Sequence, residues 1–122
     1  MRAVLILHQE AGEGELPDFT CGTISGNWCT FPKGYRCGTS LLPAPALCVN
    51  MVHNDRPGNG DFAVFLDQIE TRCKSRGEDL LFLDVQPLLA AHLVKKRGFE
   101  RQPGSTHYRK AVASRQPVTT QV

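Results

Sequence analysis

The sequence contains no apolar run that approaches the ~20 residues needed by a membrane-spanning helix. Its charge is nearly balanced, since 14 basic and 12 acidic residues give a formal net charge of +2 and are mixed along the chain. No basic face can be read from this pattern, so a nucleic-acid partner is not indicated. The opening stretch has one basic residue, Arg2, and no small-residue cleavage site after its short apolar segment. We therefore predict a strand there rather than a signal peptide, and we expect a cytoplasmic protein without a membrane partner.

The five cysteines do not form any of the usual paired motifs. Cys21, Cys29 and Cys37 recur every eight residues, and Cys48 and Cys73 follow later, so no Cys-x-x-Cys spacing occurs. An odd count without a secretion signal argues against a disulfide framework, and we expect reduced thiols. A metal site built from the first three cysteines together with a histidine stays open as an alternative.

Two common catalytic signatures are also missing. Ser25 and Ser40 do not lie in the Gly-x-Ser-x-Gly turn of a serine hydrolase. No glycine-rich segment ends in the Gly-Lys-Ser/Thr of a nucleotide-hydrolysing P-loop. Neither of these enzyme classes is therefore supported.

Residues 1–46 show no helical periodicity and predict short strands. The opening strand is rich in Val, Ile and Leu, which is typical of a strand buried on both faces. Glycine and proline divide the following segment into short pieces and mark its turns. The predicted strands cover residues 2–8, 20–28 and 35–42, and the predicted turns lie at Gly26 and Asn27 or at 32–34.

Periodicity is clearer in the second part of the chain. Alternating side chains predict a strand over 47–54. Apolar residues at helical spacing predict a helix over 61–75, with Gly77 as its terminating glycine. A nearly continuous apolar run then predicts a strand over 80–85 that is covered on both faces.

The last predicted elements are a second helix and a closing hairpin. Pro87 suits the first position of that helix and Gly98 suits its end. The hairpin falls within 99–112, and residues 114–122 are expected to form a flexible tail. The order strand, helix, strand, helix, strand places one parallel pair in a sheet with antiparallel strands on both sides. We therefore predict a mixed α/β fold in a single domain, residues 1–113.

A glycine-rich turn joins the strand over 47–54 to the helix over 61–75. Its residues, 55–60, read Asp-Arg-Pro-Gly-Asn-Gly. A strand followed by such a turn and a helix directs backbone N–H groups and the positive end of the helix dipole at one point. This arrangement favours an anion, above all a phosphate group.

The order of these parts resembles the GNAT superfamily of acetyl-CoA-dependent N-acetyltransferases. The turn of that family reads Gln/Arg-x-x-Gly-x-Gly/Ala, which Gly58 and Gly60 match. Its later helix reads Asn-x-x-Ala-x-x-Leu-Tyr-x-Lys-x-Gly-Phe, and the matching positions here are Ala90, Leu93, Lys96, Gly98 and Phe99. The sequence departs from the family at Asp55, Pro87 and Val94, where Gln or Arg, Asn and Tyr are common.

The resemblance covers residues 47–100 and implies a GNAT-like mixed sheet with a site for acetyl-CoA. A backbone N–H near Asn50 or Met51 would polarise the thioester carbonyl. The attacking amine must lose a proton, and the implied base is His53, with Asp84 also in reach. The implied cofactor-binding residues, acting mainly through backbone amides, are Met51, Val52, Arg56, Gly58, Asn59, Gly60 and Asp61.

The sequence thus predicts a small acyltransferase that moves an acetyl group from acetyl-CoA to a primary amine of an unidentified acceptor. In this interpretation residues 1–46 are a shortened β-rich part, residues 47–112 hold the cofactor and close the sheet, and no metal is needed. The protein would act as a monomer or homodimer. Two alternatives stay open: a GNAT-fold binding or inhibitor protein without catalysis, for example one encoded by a virus, and a Cys-rich metal-binding interaction module.

Overall fold

A computed structural model describes residues 2–9 and 16–113 of the chain. Within these residues, one large sheet carries two helices on the same face. None of the described helices is both long and apolar enough to cross a membrane. The strands are β1 (Leu5–Leu7), β2 (Asp18–Cys21), β3 (Ile24–Phe31), β4 (Arg36–Cys37), β5 (Ser40–Leu41), β6 (Ala46–Asn54), β7 (Asp79–Phe82), β8 (Glu100–Arg101) and β9 (Tyr108–Lys110), and the helices are α1 (Asp61–Arg76) and α2 (Pro87–Arg97).

The large sheet has the strand order β1-β2-β3-β6-β7-β9-β8. Strands β6 and β7 are parallel, and every other neighbouring pair is antiparallel. Strands β4 and β5 form a separate two-stranded hairpin. The predicted mixed α/β architecture with one parallel pair, two helices and a closing hairpin is confirmed.

Both helices begin and end where the sequence signals predict. Helix α1 buries Phe65, Leu66 and Ile69 and ends at Gly77, whose φ of 70° is in the left-handed region. Pro87 starts α2, and Gly98 ends it with a φ of 79°. Glycine adopts these angles without steric cost, so its position fixes where each helix stops.

The two faces of the central strands enter two separate hydrophobic clusters. Leu47 and Val49 of β6 pack beneath the helices, whereas Cys48 packs on the opposite face. That opposite cluster also holds Cys37 and Leu42, at and just beyond the β4–β5 hairpin. All four residues of β7 are buried, which confirms that this strand is covered on both faces.

The prediction for the first strand was wrong in its extent and its burial. Strand β1 has three residues, lies at the edge of the sheet and exposes Ile6. Its inner side is fixed to α1, because Leu5 N–H donates to Gln68 Oε1 and Gln68 Nε2 donates to the Ala3 carbonyl oxygen. No described element covers the other face of β1. The strand is therefore less buried than its apolar sequence predicted.

The turn predicted at Gly26 and Asn27 was also wrong, because both residues lie inside β3. A Cβ atom at Gly26 would overlap the Met51 carbonyl oxygen of the neighbouring strand. The glycine therefore marks a close approach of two backbones rather than a turn. The reversal between β2 and β3 instead uses Gly22, with φ 61°, and Thr23.

The strand predicted over 35–42 is instead the β4–β5 hairpin. Its turn contains Gly38, with φ 66°, and Thr39, whose N–H donates to the Pro103 carbonyl oxygen at 2.9 Å. The alternative turn predicted at 32–34 is present, since Tyr35 N–H donates to the Pro32 carbonyl oxygen at 3.1 Å. The predicted tail at 114–122 lies outside the described residues.

Candidate functional site

The central feature is a cleft where the two parallel strands part. Strands β6 and β7 pair from Ala46 opposite Asp79 to Val49 opposite Phe82. The last backbone hydrogen bond between them runs from Leu83 N–H to the Val49 carbonyl oxygen at 2.9 Å. Beyond it, β6 continues beside β3, while the chain after β7 turns into α2. The carboxyl ends of two parallel strands therefore border an open space, which is a common place for a ligand in α/β proteins.

A β-bulge at Asn50 coincides with the point of separation. In the pairing with β3, Met51 lies opposite Asn27 and Val49 lies opposite Trp28, so Asn50 has no partner in the register. Its side-chain Nδ2 donates to Asn27 Oδ1 at 2.9 Å. A bulge bends its strand and increases the local twist. The extra residue thus accounts for the divergence of β6 from β7.

The resulting cavity has a volume of about 430 Å³ and a mixed polar and apolar lining. Met51 and Leu88 are large apolar side chains with exposed fractions of 62% and 89%. Such exposure beside a concave site favours a ligand with an extended apolar portion and several polar groups. The lining includes Asn50, Met51, Val52, Asp84, Gln86 and Leu88.

Asp84 is held in this cleft in an unusual backbone conformation. Its φ is 50°, the only positive value for a non-glycine residue in the described part of the chain. Its N–H donates to His107 Nδ1 at 3.0 Å, and Thr106 Oγ1 donates to its carboxylate at 3.3 Å. The carboxylate itself stays exposed and accessible from the cleft.

His107 was not among the predicted site residues. It precedes β9, 23 positions after Asp84, and no local pattern links the two residues. The only sequence signal is the chemistry of the side chain itself. The contact becomes visible once the antiparallel β7–β9 pairing is known.

His53, the predicted base, lies outside the cleft. Its Nε2 is 2.9 Å from Asp55 Oδ1, and both side chains are 72% exposed. It lines a neighbouring groove together with Ser25, its partner in the β3–β6 register. The structure therefore brings His53 and Asp55 together, and it brings Asn50 together with Asp84, as two separate groups.

The glycine turn lies between β6 and α1 and does not line the cleft. Three of its five predicted anion-binding amides already donate within the chain: Arg56 N–H to Asn54 Oδ1, Asn59 N–H to the Arg56 carbonyl and Asp61 N–H to Asn59 Oδ1. The two glycine amides make no hydrogen bond among the described residues. Gly58 and Gly60 both have a φ of 90° and open space where a Cβ would stand.

Asp61 supplies a carboxylate at the first position of α1, inside this turn. Its Oδ2 accepts from Thr23 N–H at 2.8 Å and from Thr23 Oγ1 at 3.1 Å. These hydrogen bonds hold the pKa of Asp61 below its ordinary value, with the Thr23 backbone bond as the largest cause. The carboxylate also complements the positive end of the helix dipole. An anion approaching the turn would thus meet a fixed negative charge.

We expect the Asp61→Asn variant to be less stable than the wild type at neutral pH. The folded-state pKa is lowered, so the carboxylate contributes stability above its unfolded pKa of about 4 and loses it as the pH falls through the lowered value. The melting temperatures of the two proteins should therefore converge below pH 4. A difference that stays constant between pH 7 and pH 2.5 would contradict the assignment.

The cysteines do not assemble into a metal site in the described residues. All five are free thiols. Cys21 lies in the cluster beneath the helices, whereas Cys37 lies in the opposite cluster. No group of three histidine, cysteine, aspartate or glutamate side chains converges among the described positions.

No protein-family model, curated protein or solved structure matches the chain. The cleft offers unpaired strand ends beside an exposed carboxylate, and the nearby turn offers two glycine amides. Backbone N–H groups can polarise a carbonyl, and a carboxylate can accept a proton.

Proposed function

We propose that the chain binds acetyl-CoA in the cleft between β6 and β7 and transfers the acetyl group to a primary amine. The observation that carries this proposal is the separation of the parallel strands at the Asn50 bulge, beside the exposed carboxylate of Asp84. The GNAT resemblance over 47–100 supports it independently, since that resemblance predicted a thioester next to Asn50 and Met51. The mixed sheet with one parallel pair is compatible with it.

The proposed reaction needs alignment more than covalent help from the protein. The amine nitrogen attacks the thioester carbonyl, a C–N bond forms, and the C–S bond breaks with coenzyme A as the leaving thiolate. Holding both reactants in one cleft supplies much of the rate. Backbone N–H groups of β6 just beyond its pairing with β7, near Asn50 and Met51, would stabilise the negative charge on the carbonyl oxygen.

Asp84 is the base favoured by the geometry. An alkylamine has a pKa of about 10 and must lose a proton to react at neutral pH. Asp84 lines the cleft, whereas His53 faces the neighbouring groove and contacts Asp55. His53 stays the alternative base if the amine approaches from that groove, because Met51 and Val52 border both spaces.

A binding protein without catalysis is the second candidate. It is favoured by Asp61, whose carboxylate occupies the turn at the N-terminus of α1. Val94 also supplies no hydroxyl at the position where many GNAT members carry a tyrosine to protonate the leaving thiolate. A protein that binds a partner through this fold would retain the cleft but show no turnover.

Acetyl-CoA binding should be lost when Gln86 is replaced with tryptophan. Gln86 lines the cleft, is exposed and makes no capping hydrogen bond to α2, so the larger ring should fill the cavity with little cost in stability. In the wild type, acetyl-CoA at 100 times its dissociation constant should add about 2.7 kcal/mol to the free energy of unfolding. Differential scanning fluorimetry measures the stabilisation by acetyl-CoA, and isothermal titration calorimetry measures its dissociation constant.

The matched control is Lys96→Trp, an exposed position in α2, the helix that Gln86 precedes, and one that does not line the cleft. It should bind acetyl-CoA like the wild type. Equal binding by the Gln86→Trp variant would place the cofactor elsewhere. Absence of binding to the wild type would exclude acetyl-CoA altogether, and binding without transfer to any amine would support the second candidate.

A further inference from the structure

Two cysteines face each other across neighbouring antiparallel strands. Cys29 of β3 and Cys48 of β6 are direct partners in the register. Opposed residues in an antiparallel pair have Cα atoms about 4.5 or 5.5 Å apart. Both values fall within the range of roughly 4.4–6.8 Å that a disulfide requires. Their side chains also point to the same face of the sheet, so the register and direction of the two residues are compatible with a disulfide.

The two thiols affect each other's pKa in opposite directions. The adjacent Cys48 side chain lowers the pKa of the Cys29 thiol. The adjacent Cys29 side chain, together with burial, raises the pKa of the Cys48 thiol, whose Sγ donates to the Ala46 carbonyl oxygen at 3.8 Å. The thiolate is the form that attacks an oxidant. Cys29 therefore has the character of the attacking residue, and Cys48 that of the thiol that resolves the product.

The two cysteines also differ in their access to solvent. Cys29 is half-buried and lines a surface cavity of about 320 Å³ together with Leu16, Pro17 and Trp28. Cys48 is fully buried in the cluster on the face opposite the helices. The cavity exposes Cys29 to a small oxidant, whereas Cys48 is enclosed in its cluster, which also contains Cys37.

We propose that Cys29 and Cys48 form an oxidation site that hydrogen peroxide converts into a cross-strand disulfide. The Cys29 sulfur attacks the peroxide, the O–O bond breaks, and a sulfenic acid and one water result. The Cys48 sulfur then attacks this sulfenic sulfur, the S–S bond forms, the S–O bond breaks, and a second water leaves. Two thiols lose two electrons and one peroxide gains them. A small dithiol such as dithiothreitol reverses the change.

The remaining cysteines are not placed for this reaction. Cys37 belongs to the same cluster as Cys48, but it lies in β4, outside the large sheet. Cys21 and Cys73 are buried in the cluster beneath the helices. Cys37 is therefore the one competing partner that the test must separate.

The test treats the folded, reduced protein with hydrogen peroxide, removes the peroxide, and then unfolds the protein in the presence of N-ethylmaleimide so that every remaining free thiol is blocked. The titre of free thiols should fall from five per chain to three, and the intact mass measured before alkylation should show the loss of two hydrogens. Chymotrypsin, which cuts after Trp28 and Leu47, should then release linked peptides that contain Cys29 and Cys48. Dithiothreitol should restore all five thiols.

Two variants serve as controls under the same treatment. Cys29→Ser should retain its four thiols, whereas Cys37→Ser should still lose two. A disulfide between Cys29 and Cys37, an unchanged thiol count, or oxidation of Cys29 to a sulfinic acid without a disulfide would each overturn the proposal. Because peptide mapping is done on the wild type, the conclusion does not depend on whether either variant folds.

Discussion

Asp84→Asn is expected to lower acetyl transfer by roughly 10²–10⁴-fold, the usual contribution of a positioned general base. Asparagine tolerates the left-handed region, so the φ of 50° and the hydrogen bond from the backbone N–H to His107 should survive. The variant therefore removes the proton acceptor and retains the shape of the cleft. Its affinity for acetyl-CoA should be close to that of the wild type, measured by calorimetry, while turnover is followed as release of free coenzyme A.

His53→Ala is the matched control for this prediction, since His53 lies outside the cleft at the end of the same strand that borders it. Its turnover with a panel of primary amines should equal that of the wild type. The opposite pattern, in which His53→Ala is slow and Asp84→Asn is unchanged, would assign the base to His53 and Asp55. Slow turnover in both variants would indicate that the side chains of His53 and Asp84 both act on the amine.

Asp79→Ala is expected to cost about 3–5 kcal/mol of stability, the usual effect of removing one partner from a buried ion pair. Asp79 is fully buried at the start of β7. Its carboxylate accepts from Arg109 Nη1 at 2.8 Å and from Ala113 N–H at 2.9 Å. The variant leaves a largely buried guanidinium and a backbone N–H without their acceptor. Urea denaturation should show a much lower midpoint, because domains of this size have about 5–15 kcal/mol in total.

Asp67→Ala provides the comparison, because Asp67 also pairs with an arginine at 2.8 Å but lies at the surface of α1. Exposed pairs contribute about 0–1 kcal/mol. The two variants should therefore differ by several-fold in their loss of stability. Similar losses would mean that burial of Asp79 does not govern the strength of its interactions.

Much of the fold from residue 46 onward could be predicted because its signals are local. The spacing of Phe65, Ile69 and Cys73 defines α1, and glycine follows each helix at its observed end. The first part of the chain could not be predicted as well, because glycine has two different structural roles there. Gly26 permits two backbones to approach and Gly38 makes a turn against Pro103, and only the tertiary structure separates these roles.

For the candidate site, too, some residues could be placed from the sequence and others could not. Asn50 and Asp84 could be placed together, since the ends of parallel strands meet at one edge of the sheet. The orientation of His53 away from the cleft could not, because a bulge reassigns the faces of the strand after Asn50. The links from Asp84 to His107 and from Asp61 to Thr23 join residues 23 and 38 positions apart and leave no local pattern.

The small hairpin that covers the face of the sheet opposite the helices should unfold locally before the sheet does. There the β4–β5 hairpin, with two residues in each strand, covers the cluster that contains Cys48 and Leu81. Hydrogen bonds from Gly34 N–H to the Leu42 carbonyl and from Thr39 N–H to the Pro103 carbonyl fix it. Because the hairpin is short and pairs with no strand of the large sheet, we expect it to open at a lower free energy than that sheet. Its amide hydrogens should exchange with deuterium well before those of β6, and the frequency of this opening sets how often the buried thiol meets solvent.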